Sequence, residues 1–227
     1  MKNKISRIQA RIAKSAENCG RSPHEVKLVA VSKTKPLASI QQALDAGLDL
    51  FGENYIQEAR EKVNALAASP AQWHFIGHLQ SNKAKYAVRL FDLIHSVDSE
   101  KLARELNKQA AKIGKIQPIL LQINIARETS KSGTSKEEAV DLVTRISTLE
   151  SLSLRGLMTM PPFFDNPEKA RPYFRELREL REHIHGLTIP GIAMDELSMG
   201  MTGDFEAAIE EGATLVRIGT AIFGGRV

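Results

Sequence analysis

The chain of 227 residues predicts an α/β protein, a closed (β/α)8 barrel of the TIM type with one extra helix at its N-terminus. Short apolar runs alternate strictly with amphipathic helical segments, which implies a parallel sheet with helical crossovers. Eight such runs can be counted, the number that closes a barrel. No linker, low-complexity stretch or second pattern interrupts them, so residues 1–227 are expected to form a single domain. A doubly wound open sheet is the alternative, but eight strands in so short a chain favour closure.

The leading helix carries Ile5, Ile8, Ile12 and Cys19 on one side and stops at Gly20. The first strand runs from Val26 to about Thr34, and Pro36 opens a helix with Ile40, Ala43 and Leu44 on one face. Leu50–Asn54 is the second strand, with helix to about Ala68, and Trp73–Gly77 the third, with helix from about Ser81. Leu93–Val97 is the fourth, followed by a helix bearing Leu102, Leu106 and Ile113. Ile119–Ile125, the fifth, leads through a loop at Ser130-Lys131-Ser132-Gly133 to a helix with Ala139, Leu142, Val143 and Ile146. The sixth, Leu154–Met160, stops at Pro161-Pro162 before a helix with Tyr173, Phe174, Leu177, Leu180 and Ile184. Leu197–Met201 is the seventh, then a short helix with Phe205, Ala208 and Ile209, and Leu215–Ile222 is the eighth, with no helix expected after it.

Composition narrows the function classes. The chain is 42% hydrophobic and 26% charged with a net charge of +4, ordinary for a globular protein with a mild preference for anions. Basic residues are interleaved with acidic ones, as in Arg175-Glu176-Leu177-Arg178-Glu179, which marks solvated helix faces and argues against nucleic acid. The one cysteine, Cys19, excludes an internal disulfide and is expected in the core. No apolar run approaches the ~20 residues a bilayer requires. The N-terminus reads as an amphipathic helix and not a secretory signal, so the cytoplasm is expected. The absence of a large apolar patch in the pattern favours a monomer. The histidines lack metal-ligand spacing, and no metal is expected.

Chemistry in such a barrel sits at the C-terminal strand ends. At the first, alternation puts Val29, Val31 and Lys33 on one face. If that face is the interior, Lys33 is desolvated, its pKa falls, and a neutral amine condenses with aldehydes. A lysine snorkelling to solvent is the alternative. The seventh strand end, Ser198-Met199-Gly200-Met201-Thr202-Gly203-Asp204, and the eighth, Arg217-Ile218-Gly219-Thr220, each set glycine beside hydroxyls. Glycine admits an anion to the backbone, and these loops are the usual phosphate site of the architecture. Taken singly, each is a plain turn or cap. Arg217, among apolar neighbours, is either a structural ion pair or a donor to the pyridine nitrogen of pyridoxal 5′-phosphate (PLP), an atom usually paired with Asp or Arg. Asn54 could reach the ring hydroxyl, and His78 is a more distant candidate at the mouth. His74 and His95 read as core histidines.

In order along the chain stand Ala30-Val31-Ser32-Lys33-Thr34-Lys35-Pro36, Phe51-Gly52-Glu53-Asn54-Tyr55 and Trp73-His74-Phe75-Ile76-Gly77-His78-Leu79-Gln80-Ser81-Asn82-Lys83. Ser130-Lys131-Ser132-Gly133, Arg155-Gly156-Leu157-Met158, Leu197-Ser198-Met199-Gly200-Met201 and Val216-Arg217-Ile218-Gly219-Thr220-Ala221-Ile222-Phe223-Gly224 follow. Over nearly its whole length the chain resembles the PLP homeostasis proteins, the YggS/PROSC family. The resemblance implies the barrel of the alanine racemase N-terminal domain, the fold-type III PLP architecture. It implies PLP held as a Schiff base on Lys33, with Ser198, Gly219 and Thr220 as phosphate ligands and Arg217 at the pyridine nitrogen. It also implies a loop lysine at Lys131 that assists PLP handling, and a cytoplasmic protein that maintains free PLP and can pass it to apo PLP-dependent enzymes. Some relatives carry a short basic C-terminal tail, whereas this chain stops at Val227.

The expected activity is cofactor holding without catalysis. A racemase of this fold needs a second base facing the lysine, and Tyr55 is the one tyrosine near a strand end. The alternatives are a weak fold-type III amino-acid racemase or decarboxylase, and a Schiff-base aldolase acting on phosphosugars.

Overall fold

Alternating β-branched runs and amphipathic segments leave each strand two apolar faces to cover, and a ring with helices outside and side chains inside covers both. A computed structural model, describing residues 1–128 and 132–225, has this architecture. Helix α1 (Lys2–Asn18) precedes β1 (Lys27–Val31), α2 (Leu37–Asp45), β2 (Leu50–Glu53) and α3 (Ile56–Ala65). Next come β3 (Gln72–Phe75), α4 (Ala84–Leu90), β4 (Leu93–Val97), α5 (Glu100–Ala111), β5 (Gln117–Gln122) and α6 (Lys136–Ile146). The chain continues through β6 (Leu152–Met158), α7 (Arg171–Gly186), β7 (Glu196–Met201), α8 (Phe205–Glu210), β8 (Leu215–Ile218) and α9 (Thr220–Phe223). Every strand pairs in parallel with the next, and β8 pairs with β1, closing the barrel.

Two apolar layers follow from strand alternation. Val29, Leu50, Leu93, Leu120, Met158 and Leu215 form a separate cluster inside the barrel. Their neighbours Ala30, Phe51, Ile94, Leu121, Leu157 and Val216 pack outward against the helices. Helix α1 buries Ile5, Ile8 and Ile12 and lies against α8, where Arg11 Nε donates to Glu206 at 2.7 Å. No helix of the described residues is long and apolar enough to cross a membrane.

Three expectations need correction. The strand expected to run to Ile222 ends at Ile218, because Gly219 adopts a right-handed helical backbone (φ −116°, ψ −67°) and starts α9. Cys19 is exposed: it caps the C-terminus of α1 and its thiol donates to the Ser15 and Ala16 carbonyls, so it leaves the apolar stripe one turn after Ala16. The first strand stops at Val31, and Lys33 lies in the turn beyond it.

Candidate functional site at the mouth of the barrel

The turn after β1 is held from behind. Thr34 has φ 62°, a left-handed conformation that costs a β-branched residue about 1–3 kcal/mol. Its N–H donates to Glu58 Oε1 at 2.5 Å. Lys62, on α3, donates to the Ser32 carbonyl at 2.8 Å, to Glu53 Oε1 at 2.8 Å and to Glu58 Oε1 at 2.6 Å. Ser32 Oγ donates to Glu53 Oε1 at 2.6 Å. The residues on both sides of Lys33 are therefore tied to α3 through one buried ammonium. Burial pushes the Glu53 carboxyl up, against the pull of Lys62 and Ser32.

In front of this turn lies a cavity of about 280 Å³. Val31, Lys33, Asn54, Ile76 and Arg217 line its floor side by sequence position, at or just beyond the ends of β1, β2, β3 and β8. Met201, Thr202, Gly203 and Asp204 after β7, and Gly219 and Thr220 after β8, form another wall. Met160, Phe163 and Phe164 come from the loop after β6, and Phe163 is 84% exposed. Asn54 is fixed by a close approach of the chain: a Cβ on Gly77 would lie 2.3 Å from the Asn54 carbonyl oxygen. Its side-chain Oδ1 is buried and has no hydrogen-bond partner among the described residues. A buried acceptor left this way is costly unless a ligand donates to it.

Arg217 is 4% exposed and makes no ion pair with a carboxylate among the described residues. Nη1 donates to Ser198 Oγ at 2.5 Å and Nη2 to the Thr159 carbonyl at 2.9 Å. Burial lowers its pKa to about 10, with the nearby Asp204 charge opposing. It therefore stays cationic at neutral pH and brings a positive charge to the cavity wall, where Asp204 is near enough to be felt but forms no ion pair with it. Asp204 Oδ1 accepts from the Met201 N–H at 2.6 Å, and burial raises its carboxyl.

The structure brings Lys33, Asn54, Arg217, Gly219 and Thr220 together around this cavity. It does not bring Ser198, whose fully buried hydroxyl sits inside the barrel between Arg217 and His95 Nδ1, the latter at 2.8 Å. Thr202 and Gly203 stand on the wall instead. His78 and Tyr55 line a neighbouring cavity that shares Asn54, and the His78 ring is 3.1 Å from Ser132 Oγ. Lys131 lies outside the described residues. Sequence reasoning missed the Glu53–Glu58–Lys62 cluster, for which the spacing of Glu58 and Lys62, one turn apart on α3, was the available signal.

The family model for the alanine racemase N-terminal domain matches residues 4–227. A pyridoxal phosphate homeostasis protein of Aquifex aeolicus (strain VF5) is 44% identical over 223 residues, covering 98% of this chain and 97% of that protein. The structure of PipY from Synechococcus elongatus PCC7942 with PLP bound superposes with a TM-score of 0.83 at 37% identity, covering 94% of this chain and 100% of that one. An alanine racemase of Clostridium difficile 630 shares the fold, with a TM-score of 0.70 at 16% identity over 96% of this chain and 56% of that one.

Proposed function

The chain belongs to the pyridoxal phosphate homeostasis family, whose barrel is that of the alanine racemase N-terminal domain, and on that premise we propose that it binds PLP covalently at Lys33 and serves vitamin B6 homeostasis. One observation carries the reading: an amine, an unpartnered buried acceptor and a buried guanidinium without a carboxylate converge on one cavity. PLP, when bound, supplies an aldehyde that takes an amine and a phosphate that needs donors.

Each group has a match in this chain. Lys33 Nζ takes the aldehyde. Asn54 Oδ1 accepts from the ring hydroxyl. Arg217, with Nη1 and Nη2 each already donating inward, offers its remaining N–H groups to the ring nitrogen. An arginine there cannot hand over a proton, so the ring stays largely unprotonated and is a weak electron sink. The wall after β7 and β8 offers Thr202, Gly203, Gly219 and Thr220 to the phosphate. Ser198 stays inside the barrel and supports Arg217 instead.

Holding and delivery, without turnover, is the activity this cavity supports best. No tyrosine or histidine lines it among the described residues, and its one carboxylate, Asp204, is engaged by a backbone N–H. A second proton-transfer group facing Lys33 is therefore poorly provided. The exposed Phe163 at the rim leaves the cavity approachable by amines, which would release PLP for apo PLP-dependent enzymes.

The test is an absorption spectrum of the protein loaded with PLP, then borohydride reduction and peptide mapping. A yellow protein labelled at Lys33, and a Lys33→Ala variant without that label, are expected. The same covalent label on another lysine in Lys33→Ala sinks the assignment. Amino-acid racemisation by the loaded wild type, lost in Lys33→Ala, would favour the racemase alternative.

A further inference from the structure

The barrel interior holds four polar side chains in a line. Arg217 Nη1 donates to Ser198 Oγ at 2.5 Å, Ser198 Oγ is 2.8 Å from His95 Nδ1, and His95 Nε2 is 2.9 Å from His74 Nδ1. These residues come from β8, β7, β4 and β3, so the line crosses the barrel. None of the three behind Arg217 lines the cavity at the mouth. Apolar side chains would fill this space without the cost of burying two imidazoles and a hydroxyl.

We propose that His95 and His74 are positioning residues for the cofactor cavity: with Ser198 they form a one-way hydrogen-bond relay that fixes the Arg217 guanidinium as a donor into it. The proposal rests on the reading that Arg217 meets the PLP ring.

The direction follows from counting protons. A guanidinium only donates. Ser198 Oγ therefore accepts from Arg217, and its single proton goes to His95 Nδ1. His95 then carries its proton on Nε2 and donates to His74 Nδ1, which leaves the His74 proton on Nε2. In the reverse sense both histidines donate from Nδ1, Ser198 accepts twice, and its own proton has no acceptor in a fully buried site. The charge state agrees: desolvation holds His74 down to about 3 and His95 well below the usual imidazole range, so both are neutral. Around the pair, Glu196 and Lys27 face His74, and Arg217 faces His95. The second clamp on the guanidinium, the Thr159 carbonyl, is itself fixed, because the Thr159 N–H donates to the Ser198 carbonyl at 3.1 Å and its hydroxyl to the Ile123 carbonyl at 2.9 Å.

Two measurements test the relay. Long-range 1H–15N NMR of wild-type protein without PLP, labelled at histidine nitrogens, should show His95 and His74 both neutral with the proton on Nε2 at pH 7. A proton on His95 Nδ1, or an imidazolium on either residue, overturns the proposal without any variant. In Ser198→Ala the lock on His95 is removed, and its two tautomers should mix; an unchanged single tautomer counts against the relay. With PLP, His95→Leu should weaken binding about tenfold and displace the absorption band of the bound cofactor, at a melting temperature close to wild type. Should His95→Leu fold poorly, Ser198→Ala provides the same two readouts. A shifted band and weakened binding in Arg217→Met combined with wild-type values in both relay variants sinks the relay alone. Wild-type values in Arg217→Met sink the ring-contact reading beneath it.

Discussion

Lys62 and Arg217 are buried on opposite sides of the barrel wall near β1, and their surroundings differ in kind. The Lys62 ammonium, outside the barrel on α3, has two carboxylates, Glu53 and Glu58, within 2.8 Å. The Arg217 guanidinium, inside it on β8, is met by a serine hydroxyl and a backbone carbonyl. The first charge is neutralised on the spot and ties down the turn that presents Lys33. The second is held by neutral oxygens and keeps its field for the cavity. A low-dielectric interior makes both arrangements expensive, so partner choice separates a staple from a ligand-binding group.

The comparison can be broken most directly at Lys62. Lys62→Met strands Glu53 in the interior and should cost about 3–5 kcal/mol, or a melting point lower by roughly 10 °C, as read by urea and thermal melts. If the variant is as stable as wild type, the staple account is wrong.

The pH dependence sharpens the other side. His74 has a folded pKa depressed to about 3, so between that value and 6.5 the unfolded chain binds the proton and the folded one does not. Stability is thus fully present above about pH 6.5 and lost as pH falls towards 3. His74 alone should cost about 2 kcal/mol between pH 7 and pH 5 in urea melts, and His95 should add to it. Flat stability over that interval would mean that the buried imidazoles take up protons in the folded protein as readily as in the unfolded chain, and the neutral-pair account would fail.

Arg217→Met is the smallest effect on stability and the sharpest contrast with Lys62→Met. No ion pair is broken, so the cost should stay at the low end of the about 1–3 kcal/mol expected for the acceptors left on Ser198 and Thr159, while PLP affinity falls at least about tenfold. A destabilisation matching Lys62→Met would erase the distinction between the two cations.

Much of the lining of the cavity at the mouth is legible in the sequence. Lys33, Asn54, Arg217, Gly219 and Thr220 each break an apolar strand or follow its end, where packing alone would not choose them. Ser198 was legible as a polar residue in β7 but not as an inward one. Pairing of β7 with β8 shifts register between Ser198 and Met201, and Gly200 sits at φ 90°, so simple alternation could not tell which hydroxyl of that segment reaches the mouth.

The sequence by itself determined the alternating order of strands and helices, the number of strands and the residues at their ends, because periodicity and chain punctuation are local properties. Tertiary structure alone decided that His74 meets His95, that both lie behind Arg217, and that Lys62 reaches back to Ser32. Those contacts join residues from 21 to 103 positions apart. Only closure of the barrel brings such residues within hydrogen-bond distance, and only burial there sets their protons and charges.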